Sequence, residues 1–485
     1  MKKSIAKNYI YSLTYQILII IIPLVLAPYL ARVLGPENLG IYSYTISISA
    51  YFLLFGNLGI SMYAKREIAY VQDNKKLISK NFYGIIIIKI ITMLISLIIF
   101  YITLVRGSNV YNIYYKILIV EIIANMIDIS WLYEGLELFK KTILRNVIIK
   151  ILTIIAIFTL VKTNQDLNVY LGIYVISMLI GNLSLWINLH NYINKINIKE
   201  ISIKKHIKPI IQLFIPQIAI QLYTILDRSM IGIMIPNKSE VGFYDQSQRL
   251  ITTVLTVVTS IGSVMLPRIS NIFAKGDIVL IKQYLLKSFR FVVMLGVPFI
   301  FGILVISKYF IPVYLGQDFN QVIILINILS IIILFIGMTN VIGIQYLLPI
   351  KKQKQFTISV FVGAITNFIF NIVLIPSLGT IGACIATVFA EGMVLIMQLY
   401  FVKETFKIGE IIKLSLNYFF SSIVMYIVLI ILNNTVYMNA SYIVKCILSI
   451  GIGGIIYALM LILLKDKLIY YILKKVFKIK LGEEV

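Results

Sequence analysis

Residues 39–60 read "LGIYSYTISISAYFLLFGNLGI", a run of 22 residues without a charged side chain. A helix rises about 1.5 Å per residue, so a run of this length matches the apolar thickness of a bilayer, about 30 Å. The run is typical of the chain, in which 60% of 485 residues are hydrophobic, 13% are charged and the mean hydropathy is +0.95. A soluble globular protein of this composition would lack polar surface, so the sequence indicates a membrane protein.

Fourteen apolar segments of this kind are separated by short polar stretches. Their unbroken length excludes transmembrane barrel strands, which alternate over about ten residues. We therefore expect an all-α, polytopic protein with about 14 transmembrane helices. The predicted segments are 10–33, 39–60, 82–104, 115–136, 142–162, 169–191, 210–235, 243–266, 288–307, 322–345, 356–376, 380–402, 411–432 and 441–464.

The formal net charge of +24 first suggests a nucleic-acid partner, but the positions of the basic residues indicate another cause. Of 44 lysines and arginines, 32 lie at the two termini, in the loops after even-numbered helices or at the edges of those loops. Only six lie in the loops after odd-numbered helices or at their edges. This asymmetry follows the positive-inside rule and predicts two cytoplasmic termini, basic loops that face anionic membrane lipids, and no nucleic-acid partner.

Motifs for chemistry are scarce. Cys384 and Cys446 are isolated cysteines inside apolar segments, which make neither a disulfide framework nor a metal site. His190 and His206 are far from any cluster of possible ligands, and the sequence contains neither a nucleophile motif nor a Walker loop. We therefore expect a protein that is not an enzyme, with no cofactor and no metal.

An internal repeat divides the chain into two groups of six helices. The matched pairs, each separated by 202 residues, are Gly40 with Gly242, Tyr42 with Tyr244, and Arg66 with Arg268. Because six is an even number, both halves run in the same sense and form a parallel repeat about an axis along the membrane normal. We expect a substrate cavity between the two lobes, which would rock against each other.

The predicted domains follow from this repeat and from the polar stretch "INKINIKEISIKKHIK" that begins at residue 193. They are an N-terminal lobe at 1–192 with helices 1 to 6, a cytoplasmic linker at 193–209, a C-terminal lobe at 210–403 with helices 7 to 12, and 404–485 with helices 13 and 14 and a basic cytoplasmic tail.

Three stretches resemble a known family. They are "RVLGPENLGIYSYTISISAYFLLFGNLGISMYAKREIA" at 32–69, "QLYTILDRSMIGIMIPNKSEVGFYDQSQRL" at 221–250 and "NFIFNIVLIPSLGTIGACIATVFAE" at 367–391. The sequence resembles the polysaccharide repeat-unit flippases of the multidrug/oligosaccharidyl-lipid/polysaccharide exporter superfamily, over nearly the whole chain. The resemblance implies fourteen helices, a cavity between lobes, and movement of an undecaprenyl-diphosphate-linked oligosaccharide from the inner to the outer leaflet.

Polar side chains inside the apolar segments are candidates for the substrate site, because a charge at mid-bilayer costs at least about 2.5 kcal/mol and normally faces water or a partner. Helix 7 carries a polar stripe at intervals of four, three and four residues, which is one helical face. The stripe consists of Gln217, Gln221, Thr224 and Arg228. Together with Arg32 on helix 1 and Arg249 on helix 8, Arg228 would form an outer group of arginines that binds phosphate with paired donors.

A second group is predicted nearer the cytoplasm, where Lys89, Asp128 and Lys150 lie at one depth on successive helices. We expect the two lysines to hold the diphosphate before its passage and the outer arginines to hold it afterwards. Alternatively, the lysines reach the lipid headgroups, as we expect for Arg290. The outer charges have alternatives too, since Asp227 could pair structurally with Arg228, and Asp245 lies four residues before Arg249 and could pair with it locally.

Ion coupling is predicted at Asn367 and Asn371 on helix 11 and Glu391 on helix 12. A buried carboxylate beside amide oxygens can bind Na⁺ or carry a proton. Asp128 is included with these residues as an ion-coupling candidate. The alternative is that Glu391 accepts a hydrogen bond from Asn367 and simply joins the two helices.

The sequence thus predicts a multi-pass flippase of the bacterial cytoplasmic membrane that serves capsule, exopolysaccharide or O-antigen-like assembly. Its expected partners are a lipid-linked oligosaccharide diphosphate, Na⁺ or a proton, anionic lipids and a polysaccharide polymerase. Two alternatives stay open, a cation-coupled multidrug exporter of the same superfamily and a membrane polysaccharide polymerase or acyltransferase.

Overall fold

The computed structural model describes residues 5–107, 110–405, 408–466 and 468–470. These residues are almost entirely helical and contain no strand, which confirms the all-α prediction. The described α-helices are α1 Ile5–Asn57, α2 Ile60–Tyr70, α3 Lys75–Phe100, α4 Asn112–Met126, α5 Ser130–Gly135, α6 Phe139–Leu160, α7 Leu167–Ile187, α8 Lys204–Met234, α9 Ser239–Thr259, α10 Ile261–Ala274, α11 Ile278–Tyr314, α12 Gln321–Leu329, α13 Ile332–Thr339, α14 Gln353–Leu378, α15 Thr380–Phe401, α16 Ile408–Asn434 and α17 Tyr442–Leu463.

Eleven stretches of the described residues are long and apolar enough to cross a membrane, which confirms a polytopic protein. The sequence predicted fourteen segments, and the difference has a structural explanation. The stretch Ile21–Tyr70 contains the first two predicted segments, joined in α1. Predicted segments 4 and 7 correspond to α4 and α8, which are not among the eleven, and α4 has only 15 residues.

A sharp break at Gly35 divides α1 into two helices. Gly35 has a φ of +74°, a conformation that is strained for residues with a Cβ. A Cβ at this position would have open space around it, so the backbone conformation and not crowding requires glycine. Pro36 follows and suits the first turn of the new helix, because that turn does not need its missing N–H. The break lies between the end of predicted segment 1 and the start of predicted segment 2.

The chain forms two compact units, residues 1–242 and 243–485. In the first unit, α1 packs against α3, α4, α6 and α8. In the second unit, α14 and α15 form a tightly packed hairpin, and α11 packs against α16 and α17. The division therefore falls after α8 rather than within the linker at 193–209, and the domain boundaries drawn from the repeat stay a prediction.

A linker strap, defined as residues 193–206, explains why the start of α8 belongs to the first unit. The strap lies along α2 and α3 and contacts them at four places, once through a backbone N–H and three times through side chains. These contacts join Asn194 to Ser79 (2.8 Å), Glu200 to Lys80 (2.7 Å), Lys205 to Asn81 (2.7 Å) and His206 to Tyr63 (2.6 Å). The linker is thus a docked segment with specific partners rather than a loose connection.

The repeated glycines Gly40 and Gly242 lie against each other in the first unit. A Cβ on Gly40 would overlap the carbonyl oxygen of Lys238, and a Cβ on Gly242 would overlap that of Pro36. Pro36 and Lys238 are themselves separated by the repeat offset of 202 residues. The contact is therefore reciprocal, because each glycine faces the carbonyl of the residue that stands four positions before the other glycine.

Candidate substrate and ion sites

Lys89 on α3 forms a buried ion pair in the first unit. Its Nζ donates to the backbone carbonyl of Asp128 at 2.7 Å and lies 3.8 Å from Oδ2 of the same residue. The Asp128 carboxylate also accepts hydrogen bonds from the backbone N–H and the hydroxyl of Ser130, at the start of α5. One carboxylate therefore holds both a buried ammonium group and the first turn of a helix.

Lys150, the third residue of the predicted inner group, does not join this pair. It is half-buried on α6 and has no ion-pair or hydrogen-bond partner among the residues that the structure describes. The structure thus brings two of the three predicted residues together. Lys89 is already neutralised by Asp128, whereas the Lys150 ammonium can accept an anionic ligand.

The predicted stripe on α8 borders the face that packs on α1. Ile225 and Ser229 are buried, and the Ser229 hydroxyl lies 2.6 Å from the hydroxyl of Tyr51 on α1. On the stripe, Gln221 and Thr224 are exposed. The stripe also includes Arg228, which is half-buried, and Gln217, whose side chain lies outside the described part of the structure.

The remaining outer charges occupy different environments. Arg32 is exposed on α1, before the break at Gly35. Asp227, beside the stripe, is buried. In the second unit, Arg249 Nε donates to Asp245 Oδ2 at 2.6 Å, which confirms the predicted pair four residues apart on α9. The Asp245 side chain is 2% exposed and that of Arg249 44%, so the acid fixes a guanidinium that reaches the surface.

The amides predicted for ion coupling lie inside the second unit. Asn371 Nδ2 donates to Asn367 Oδ1 at 3.0 Å, and both residues are fully buried on α14. Glu391 is buried on α15, one residue after Ala390, whose carbonyl faces Gly363. The helices α14 and α15 are antiparallel and meet at Gly379, and Asn367 lies as many residues before that turn as Glu391 lies after it, so the carboxylate and the Asn367 amide lie at about the same level.

Glu121 is a buried acid for which the sequence indicated no partner. Its Oε2 accepts a hydrogen bond from the Ser49 hydroxyl at 2.8 Å, and its Oε1 accepts one from the Tyr174 hydroxyl at 3.1 Å. The three residues belong to α4, α1 and α7, and 72 and 53 positions separate Glu121 from its partners. Neither a motif nor a helical spacing connects residues so far apart, so sequence reasoning could not find this cluster.

Comparison with known proteins gives a consistent result. Residues 5–273 match the family described as polysaccharide biosynthesis protein. A protein of Escherichia coli (strain K12) named "Putative O-antigen transporter" is 26% identical over 413 residues, which cover 83% of this chain and 98% of that protein. Its high coverage means that the likeness extends across both compact units.

Two solved structures share the fold. The "Lipid II flippase MurJ, inward closed conformation" matches with a TM-score of 0.78 and 18% identity, over 94% of this chain and 99% of that one. An inward-facing multidrug resistance MATE family transporter of the MOP superfamily matches with a TM-score of 0.64 and 14% identity, over 81% and 95%. These identities establish a common architecture alone. The family match, in contrast, extends over more than half of the residues of this chain, and the chain therefore belongs to the polysaccharide biosynthesis protein family.

Proposed function

We propose that this protein flips undecaprenyl-diphosphate-linked oligosaccharide repeat units from the inner to the outer leaflet of the bacterial cytoplasmic membrane. It works by alternating access and supplies surface polysaccharide assembly, such as that of a capsule or exopolysaccharide. The observation that carries this proposal is the likeness to the protein named "Putative O-antigen transporter" over 83% of this chain and 98% of that protein. The fold shared with a lipid II flippase supports it.

The cations of the apolar helices support an anionic headgroup as the transported group. Lys150 has no partner among the described residues, and Arg228 and Arg249 are partly accessible. Planar guanidinium groups suit phosphate oxygens because they donate two parallel hydrogen bonds. The neighbouring exposed groups Gln221 and Thr224 offer neutral donors and acceptors to sugar hydroxyls.

Lys150 would make the first contact with the diphosphate on the cytoplasmic side, followed by Lys89. Because Lys89 is held by Asp128, it can bind phosphate only after the carboxylate is neutralised or moves away. Protonation of Asp128 would remove the opposite charge, which is why this acid is an ion-coupling candidate. After passage, Arg32, Arg228 and Arg249 would hold the diphosphate.

The second ion-coupling site would consist of Asn367, Asn371 and Glu391. The two amides are bonded to each other, and Asn367 Nδ2 has no hydrogen-bond partner among the described residues. Rotating both amides by half a turn would retain a bond between them and present the Asn367 oxygen instead. With the Glu391 carboxylate nearby, such an oxygen suits Na⁺. A polysaccharide polymerase would receive the exported repeat unit at the outer face.

Reconstitution in proteoliposomes tests the proposal. A fluorescent lipid-diphosphate oligosaccharide placed in one leaflet should become accessible to a membrane-impermeant quencher in the other leaflet. Arg228→Ala combined with Arg249→Ala should lower the initial rate at least tenfold, because each lost bidentate contact to phosphate contributes about 1.5 to 3 kcal/mol. The matched control is Arg106→Ala with Lys275→Ala, which removes two exposed cations outside the proposed site.

The other readings make different predictions in the same system. A multidrug exporter would move a cationic dye and leave the lipid-linked sugar in place. A polymerase would lengthen the oligosaccharide without changing its leaflet. Flipping at the wild-type rate in the double arginine variant would contradict the outer site while leaving the transport activity itself intact.

A further inference from the structure

The carboxyl group of Glu121 lies in the interior of the first unit, where the residue is 2% exposed. Its two hydrogen-bond partners, Ser49 on α1 and Tyr174 on α7, are neutral hydroxyl groups. The other polar side chains of this part of α1 do not add to them, because Thr45 and Ser47 donate to backbone carbonyls of α1 itself. Three helices therefore meet at one carboxyl group.

No lysine, arginine or histidine of the described residues pairs with Glu121. Charged groups on the helices packed around Glu121 lie elsewhere. Lys116 on α4 is exposed, and so are Arg32 and Glu37 on α1. Lys89 on α3 donates its hydrogen bond to Asp128. On α7 the titratable side chain in contact is Tyr174. An ionised carboxylate here would be a buried charge without a counter-ion, which two neutral hydroxyls do not offset.

We propose that the Glu121 carboxyl is a proton-binding site, protonated while α1, α4 and α7 are packed around it and ionised when these helices separate enough to admit water. A carboxylic acid has one O–H donor and retains acceptor capacity. Ser49 can then donate to one oxygen, while the Tyr174 hydroxyl turns to accept from the other. The proton comes from water on one side of the membrane and leaves to water on the other.

The position of Ser49 connects this site to α8. Two residues after Ser49, Tyr51 lies 2.6 Å from the Ser229 hydroxyl of α8. A second hydrogen bond joins α4 to α7 near Glu121, because the Asn182 side chain donates to the Ala124 carbonyl at 2.8 Å. Loss of the proton would favour separation of α1 from α4 and shift the helix against which α8 packs. The site itself does not depend on the transported molecule, whereas its use to drive export rests on the proposed function.

Infrared difference spectroscopy of the substrate-free protein in nanodiscs at neutral pH tests the site directly. Wild-type protein should absorb in the carbonyl region of protonated carboxylic acids, and Glu121→Gln should lose that band. The matched control is Glu134→Gln, an exposed acid paired with Lys65 at 3.0 Å, which should retain it. The proposal is overturned if Glu121→Gln retains the acid band and loses a carboxylate band instead.

A second measurement applies if the Glu121→Gln variant does not fold. Ser49→Ala and Tyr174→Phe each remove one hydroxyl from an intact carboxyl group and should shift the frequency of its acid band. An unchanged band in both variants would overturn the assignment to Glu121.

Coupling to export is tested separately in proteoliposomes with and without a pH gradient. The gradient should raise the flipping rate of the wild-type protein, and the two rates should become equal in Glu121→Gln. If the variant responds to the gradient as the wild type does, the coupling is wrong. If the wild type moves no lipid-linked sugar at all, the proposed function fails, while the infrared result still decides the proton site.

Discussion

The two side chains of the Lys89–Asp128 ion pair are buried to different extents. The lysine side chain is 1% exposed and that of the aspartate 21%. Asp128→Asn would leave a buried ammonium without its counter-charge, and breaking a buried pair in this way costs about 3 to 5 kcal/mol. We expect a loss of about 3 kcal/mol, at the lower end of this range, because the backbone carbonyl of residue 128 still accepts a hydrogen bond from Lys89 Nζ.

Lys89→Met should cost less, because the remaining carboxylate is partly exposed and keeps both bonds from Ser130. Denaturant unfolding of the purified variants in one detergent measures both losses. The double variant should resemble Lys89→Met, since the buried charge is absent from both. Equal losses for the two single variants would contradict the unequal burial.

The same residues show what sequence can reveal about side-chain partners. Counting residues from helix ends placed Lys89 and Asp128 at one depth, and in the structure they form an ion pair that the count did not predict. The same count placed Lys150 with them, but depth does not specify which way a side chain points around its helix. Glu121 was visible as an unexplained acid, whereas Ser49 and Tyr174 come from other helices and become partners only through packing.

At the scale of helices, the contact between Gly40 and Gly242 predicts intolerance to a single methyl group. Gly40→Ala would place a Cβ on the Lys238 carbonyl oxygen, so the starts of α9 and of the second half of α1 must move apart. Such overpacking costs typically about 1 to 3 kcal/mol, which should lower the yield of folded protein and its unfolding temperature.

The control is Gly451→Ala in α17, where a Cβ meets nothing within 4 Å. Alanine favours a helix over glycine by about 1 kcal/mol, so this variant should be neutral or more stable. Thermal unfolding in detergent measures both variants. Wild-type stability of Gly40→Ala would mean that the reciprocal contact is looser than described.

The linker strap should undock as the pH falls. Burial, aided by the charge of Lys205, lowers the pKa of His206 from 6.5 to about 4. His206 lies before predicted helix 7 and contacts Tyr63 of α2, whose own charged neighbours are Arg66 and Glu67. Because the undocked histidine binds a proton at a higher pH than the docked one, stability is full above about pH 6.5 and is lost progressively towards pH 4.

Hydrogen exchange of residues 193–206 between pH 7 and pH 4 measures this effect, after correction for the intrinsic pH dependence of exchange. His206→Gln should remove the pH dependence above about 4.5. Glu200→Gln is the contrasting variant, because the hydrogen bond from Lys80 lowers the pKa of Glu200 below its ordinary value of 4.5. Glu200→Gln should therefore change the exchange of the strap only below that pH. If His206→Gln shows the same pH dependence of exchange as the wild type, His206 is not the group that undocks the strap.

Helix boundaries were largely predictable because apolar runs and breakers encode them. The break at Gly35 lies where Gly and Pro end the first run. The docked strap was not predictable, because a polar stretch with four lysines reads equally well as a solvated loop, and its acceptors are on α2 and α3. The π-helix at Asn340–Leu347 also has no distinctive sequence signal.

For the whole molecule, the weak repeat was informative because its matches coincide with a physical constraint. Gly40 and Gly242 were aligned from sequence, and they meet in the structure because only glycine permits such close backbone approach. The boundary between compact units was harder to predict. A sequence repeat indicates the order of equivalent helices, but it does not indicate which helices pack together. The helix α8 belongs to the first unit because it contacts α1 through residues such as Ser229 and Tyr51, which have no matching residues in the other half.

Two of the proposed ion sites, one in each compact unit, would give the molecule two separable responses. Glu121 has neutral hydroxyl partners and suits a proton, whereas Asn367, Asn371 and Glu391 combine amide oxygens with a carboxylate and suit Na⁺. Flipping in proteoliposomes should therefore rise with an inward Na⁺ gradient as well as with a pH gradient. Glu391→Gln removes the charge needed by the cation and should abolish the Na⁺ response while the pH response persists.

Glu121→Gln should give the opposite pattern. Both variants replace one acid by its neutral isostere, so each is the matched control for the other in size and in loss of charge. Rates are to be compared as ratios with and without each gradient, which cancels differences in the amount of active protein. If each variant loses both responses, the two sites act as one coupled unit, and the assignment of one ion to each site is wrong.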